Sequence, residues 1–171
     1  MSIVLCFGLV LLANKLFGKI GLFVWIGIAS VMANIEVCKA IVLFGIDGIS
    51  LGNVTFASVF LATDMLNECY GYKESKKGVF IGLFSVIAYL GMMQLDLLFN
   101  PSSLDIANES MKALFGLSPR ICLASVTLFF IASLLDVWLF EKIKQKTNGK
   151  KLWLRNNVST IFSNCCENFL F

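Results

Sequence analysis

Four carboxylates, Asp64, Glu68, Asp136 and Glu167, lie within or at the ends of long apolar runs, accompanied by Asn34, Asn67, Asn156, Thr160 and Asn164. An ionisable side chain in a membrane helix costs about 2.5 to 3.5 kcal/mol on insertion scales, so each should face protein or a water-filled cavity rather than lipid. Carboxylates accept hydrogen bonds, amides both donate and accept, and aromatic faces such as Phe56, Phe60 and Phe129 stack on flat rings. Together they could read a planar solute rich in polar edges. Other chemistries are excluded. The absence of His removes His-based metal sites, Ser/His/Asp triads and imidazole relays. No P-loop motif is present, so the chain does not hydrolyse ATP in that way. Six Cys (Cys6, Cys38, Cys69, Cys122, Cys165, Cys166) sit in or beside apolar runs without CxxC spacing and read as small hydrophobes. No cofactor or metal is called for, and a net charge of +3 is too small and scattered to suggest nucleic acid.

The elements that carry these residues are set by composition. Of 171 residues, 58% are hydrophobic and 15% charged, against roughly 25% charged in soluble domains. This describes an all-α polytopic membrane helix bundle in which lipid is the solvent. Runs at 2–17, 20–44, 51–70, 78–99 and 121–140 predict five complete transmembrane helices. The first has no basic residue ahead of it and no cleavage site after it, so it reads as a short membrane helix rather than a signal peptide. A sixth helix, 156–171, ends while still apolar; it rises only about 24 Å against a core of about 30 Å. The expectation is a single transmembrane domain, 1–171, whose last helix is cut short. Between the fourth and fifth helices, Leu104 to Phe115 could form a short interfacial helix.

Helical spacing gathers the polar residues into stripes. At about 100° per residue, Asn53, Phe60, Asp64 and Asn67 share one arc, with Phe56 and Glu68 at its edges. Ser125, Phe129, Ser133 and Asp136 share a face of the fifth helix, and Asp64 and Asp136 lie at similar depth. Asn156, Thr160, Ser163, Asn164 and Glu167 form a strip on the sixth. Neither Asp has a basic partner in its own span, so Arg155 or the Asn side chains of the sixth segment are candidate partners. In the second helix Glu36 and Lys39 are spaced to pair with each other, while Asn34 points elsewhere.

Four blocks resemble the queuosine precursor transporter family, a branch of the vitamin uptake transporter group. They are Asn53 to Lys73, with Asp64-Met-Leu-Asn-Glu68-Cys-Tyr-Gly71; Ala33-Asn34-Ile35 with Lys39; Leu-Leu-Asp136-Val137 before Phe140-Glu141; and Trp153-Leu-Arg-Asn-Asn-Val-Ser-Thr160. The likeness runs from about Asn34 to the last residue, in family order. Ala57, Ser133, Asn164 and Glu167-Asn168 depart from the family's usual Pro, Gln, Gln and Asp-Thr. The resemblance implies a transporter, not an enzyme, that imports 7-cyano- or 7-aminomethyl-7-deazaguanine across the inner membrane. It implies substrate contacts drawn from Asn34, Phe60, Asp64, Asn67, Glu68, Asp136, Asn156, Thr160, Asn164 and Glu167. Implied partners are a purine-like small molecule, the lipid bilayer and separate energy-coupling subunits. Three other readings stand beside it: the substrate-binding subunit of an energy-coupling-factor importer, an intramembrane aspartyl hydrolase using Asp64 with Asp136, and a structural membrane subunit.

Alternate loops carry the cations: Lys15 and Lys19, then Lys73, Lys76 and Lys77, then Lys142, Lys144, Lys146, Lys150, Lys151 and Arg155. The positive-inside rule places these in the cytoplasm and the N-terminus outside. Single Cys residues introduced at Asp47 and Asp105 should therefore label with an impermeant reagent in intact cells, whereas those at Lys76, Lys146 and Lys150 should not. The reverse labelling overturns the orientation.

Overall fold

A computed structural model describes the backbone throughout except residues 1, 44, 45, 103, 104, 117, 118, 148, 149, 151 and 171; the side chains of 43, 46, 49, 119–125, 164 and 166–170 also lie outside the described set. Along the chain run α1 (Ser2–Glu36), β1 (Ala40–Leu43), β2 (Ile46–Ser50), α2 (Gly52–Tyr70), α3 (Tyr72–Asp96), α4 (Asn108–Phe115), α5 (Pro119–Lys146) and α6 (Leu152–Leu170). Among the described residues, α1 and α3 are long and apolar enough to cross a membrane. Large apolar side chains face outward, including Phe84 at 73% exposure, as befits a surface covered by lipid.

The break expected between the first two helices lies at Gly18, inside α1. There φ is +57° and ψ −135°, which a residue with a Cβ rarely adopts. The chain folds back so sharply that a Cβ on Gly21 would stand 2.2 Å from the Ala13 carbonyl oxygen. Val10 of the first arm thereby joins Leu22, Ile26 and Ala29 of the second in one core with Val59, Ala62 and Leu66 of α2 and Phe129 of α5. Gly52 enters α2 equally close to α1, where an added Cβ would meet the Ala33 carbonyl at 2.7 Å.

One expectation is corrected. The second apolar run does not stay helical to Phe44: α1 ends at Glu36, and Ala40 and Ile41 pair antiparallel with Ser50 and Ile49. Ile41, Val42, Ile46 and Ile49 favour extended backbone, and Asp47 accepts a hydrogen bond from the Gly48 amide at the tip. A short apolar run looks alike as helix or strand; Phe44 itself lies outside the described residues. The expected pairing of Glu36 with Lys39 changes as well, since the Glu36 carboxylate accepts the Thr55 hydroxyl of α2 and Lys39 is exposed.

The three cation-rich corners lie at one end of the bundle. Tyr70 donates to Asn14 at 3.5 Å, and Lys19 reaches Glu74 at 3.1 Å, where Lys77 also binds. These two lysines hold the Glu74 carboxyl below its ordinary range through their hydrogen bonds, so the clasp is intact at neutral pH and is lost only as the pH falls through that lowered value. At the opposite end, Gln94 of α3 donates to the Phe115 carbonyl at 2.7 Å, and Tyr89 packs edge-on against the Phe115 ring. The short helix expected over 104–115 is α4, beginning at Asn108.

Gly21→Ala should lower stability by about 1 to 3 kcal/mol through overpacking at the α1 corner. Gly8→Ala, where no atom lies within 4 Å of the added methyl, should change little. Thermal unfolding in detergent separates the two; equal melting temperatures would contradict the tight corner.

Candidate functional site

The polar stripes of α2, α5 and α6 meet inside the bundle. Asp64 is 5% exposed and Asp136 fully buried. Asp136 and Arg155 are the charges that act on Asp64, and the Ser159 and Thr160 hydroxyls approach Asp136 from α6. Even so, Asp64 Oδ1 and both oxygens of Asp136 have no hydrogen bond of ordinary geometry, nor do Asn67 Oδ1 and Ser133 Oγ. Burying such groups without partners costs roughly 1 to 3 kcal/mol each, more where charged. This concentration of acceptors is the candidate site.

Just beyond it, toward the basic corners, the helices are tied by charge. Arg155, 1% exposed, meets the Glu68 carboxylate at 2.5 Å, and Lys144 of α5 reaches the same carboxylate at 3.3 Å. Arg155 also lies over the Phe140 ring, 5.3 Å from its centroid. Lys144 donates to the Asn67 carbonyl at 3.0 Å, an acceptor that also takes the Gly71 amide at the end of α2. Asn67 uses its amide nitrogen on the Val137 carbonyl of α5 at 3.4 Å. Glu68 is therefore an ion-pair partner and Asn67 a tie between helices whose Oδ1 stays open.

The other predicted residues fall at different distances from this centre. Phe60 is buried at 4% exposure on α2. Phe56 and Phe129 stack with ring centroids 5.0 Å apart. Thr160 lies beside Asp136, while Asn156 gives its carbonyl to Ser159. Asn34 is not brought in. Its amide bonds the Ser30 carbonyl one turn back, level with the start of α2, and Asp64 lies nine residues beyond Thr55, about 13 Å along the helix. The side chains of Ser125, Asn164 and Glu167 lie outside the described residues. Lys144 was not singled out by helical spacing because it reads as an ordinary member of a basic loop. Its signal is that α5 continues through it to Lys146, two turns beyond Asp136 on the same helix.

A kinked, lipid-facing helix bundle with a buried acidic centre has the character of a carrier, and the chain belongs to the vitamin uptake transporter family: residues 50–171 match the family model described as "Putative vitamin uptake transporter". It is 43% identical over 166 residues to a "Probable queuosine precursor transporter" of Bacillus subtilis (strain 168), covering 96% of this chain and 72% of that protein. A second protein of that name, from Haemophilus influenzae, is 28% identical over 122 residues, 70% of this chain and 48% of its own length. No solved structure matches.

Arg155→Gln should destabilise the protein by about 1 to 3 kcal/mol, less than for a fully buried pair because Glu68 is partly exposed. Lys144→Ala should cost about 1 kcal/mol or less. In a double-mutant cycle, Glu68→Gln should recover part of the Arg155→Gln loss, read as detergent melting temperatures. Additive losses would show that the contact carries no coupling.

Proposed function

We propose that this protein imports a queuosine precursor, 7-cyano- or 7-aminomethyl-7-deazaguanine, across the cytoplasmic (inner) membrane with its N-terminus outside. The observation that carries the reading is the buried carboxylate of Asp64, whose Oδ1 has no hydrogen-bond partner, close to Asp136, in a chain similar to two proteins bearing a queuosine precursor transporter name. A deazaguanine offers ring and exocyclic N–H donors on one edge, which two carboxylate oxygens can accept side by side. Its ring carbonyl suits an amide or ammonium donor, and the Phe56–Phe129 pair supplies an aromatic wall. Asp64, Asp136, Ser133 and Thr160 are the residues we assign to substrate contact, with Phe60 behind them. No bond is made or broken, so the role is carriage and not catalysis.

Cells unable to make or import the base, expressing this chain, should accumulate labelled deazaguanine. Asp64→Asn should reduce uptake by about tenfold or more while the protein still inserts, because an amide cannot accept two donors on one edge. Phe60→Ala should weaken uptake less. Full uptake by inserted Asp64→Asn returns that residue to a structural role, and no uptake by the unaltered chain overturns the substrate.

A further inference from the structure

We propose that the α2–α5–α6 centre takes up one monovalent positive charge together with its solute, either as an ammonium group on the substrate or as a co-transported sodium ion. The inference rests on the carrier reading and extends it to the charge of what is carried.

Two observations lead here independently. The first is a charge count among the described side chains. Asp64 and Asp136 are buried with Arg155 as their neighbouring cation, and Arg155 is already bonded to Glu68, which Lys144 also engages. Three carboxylates and two cations leave one negative charge uncompensated. In an apolar bundle that charge is costly unless something positive accompanies it. Other charged groups do not serve. Lys19 and Lys77 are spent on Glu74 at the α1–α2–α3 corner. Glu36 is bound to Thr55 at the far end of α2.

The second observation is the nature of the orphaned atoms. Asp64 Oδ1, Asn67 Oδ1 and both Asp136 oxygens can only accept unless a carboxyl is protonated, and Ser133 Oγ offers lone pairs as well as its proton. Asn67 and Ser133, at 0% and 3% exposure, are not acidic, so these acceptors add to the charge argument. They converge geometrically. Asn67 lies one turn beyond Asp64 and is bonded to Val137, the neighbour of Asp136, and Ser133 lies one turn before Asp136 on α5. On α6 the Ser159 and Thr160 hydroxyls lie beside Asp136 and add their oxygens to the cluster. Carboxylate, amide and hydroxyl oxygens gathered in this number suit a hard monovalent cation or an ammonium, and carriers place coupling ions next to substrate near mid-membrane.

The purified full chain in lipid nanodiscs tests this in two arms. In the first, sodium alone is the probe. The melting temperature should be higher in sodium chloride than in N-methylglucamine chloride of equal ionic strength, and Asp136→Asn or Asp64→Asn should abolish that difference, the second variant covering failure of the first to fold. In the second arm, the aminomethyl base should bind equally with and without sodium, and the neutral cyano base about tenfold more tightly with it. Preference for the aminomethyl base in both buffers assigns the charge to the substrate, which also sustains the proposal. If both bases bind alike in both buffers and sodium does not stabilise the protein, the acid centre keeps a proton instead and the inference falls, while the substrate reading stands. If neither base binds but sodium stabilises through Asp136 or Asp64, the substrate reading falls and the cation site stands. Sodium stabilisation that survives both substitutions overturns the site.

Discussion

The guanidinium of Arg155 has to be satisfied in an apolar interior, and that requirement organises the half of the bundle that holds the acidic centre. A buried cation without a counter-charge costs several kcal/mol, so α6 can pack only where it meets the Glu68 carboxylate of α2 and the Phe140 ring of α5. Once that contact forms, the register of three helices is fixed. Residues one or two turns before it on α2 and α5, Asp64 and Asp136, are then drawn into a shared interior. The acidic centre follows from the placement of the arginine.

A second constraint acts through close approach of backbones. Lipid tails are as apolar as the side chains they would replace, so helices in a membrane associate through packing and polar contacts more than through hydrophobic gain. Gly21 and Gly52 allow the α1 arms and α2 to approach until no Cβ fits between them. Trp25 then donates to Ser58 across the same seam at 3.2 Å. The α1–α2 seam is thus dense and hydrogen-bonded, whereas the α2–α5–α6 centre holds acceptors without partners. Close packing and open acceptors are segregated to opposite faces of α2.

Much of this was legible in the residues. The clustering of Asp64, Asn67 and Asp136 follows from helical spacing because α2 and α5 are regular through those positions. The Gly18 corner follows from polar and basic residues interrupting an apolar run. Arg155 could be named as a partner for buried acid, but spacing could not show that it would choose to meet Glu68, one turn beyond Asp64. That choice depends on how far α6 slides along α2, a tertiary quantity. The hairpin at 40–50 was illegible for another reason. Its apolar β-branched residues satisfy a membrane-helix pattern equally well, and only the partner strand, supplied by residues beyond the apparent turn, decides the outcome. Asn34 was grouped with the site by resemblance, yet its amide is spent one turn back on its own helix.

The two ends of the bundle are held by different forces, and this bears on how a carrier of this shape could work. At the basic end, Glu68 collects Lys144 of α5 and Arg155 of α6, and Glu74 collects Lys19 of α1 and Lys77 of its own helix. The lysines in these contacts are partly exposed and already screened by water, whereas Arg155 is buried, so its contact with Glu68 is the one that further hydration would weaken. At the other end the ties are neutral hydrogen bonds and an aromatic contact involving Gln94, Tyr89 and Phe115, whose strength changes less with hydration. A solute that leaves toward the basic end must bring water with it past Glu68 and Arg155. Wetting that route would raise the dielectric around Arg155 and weaken its hold on Glu68.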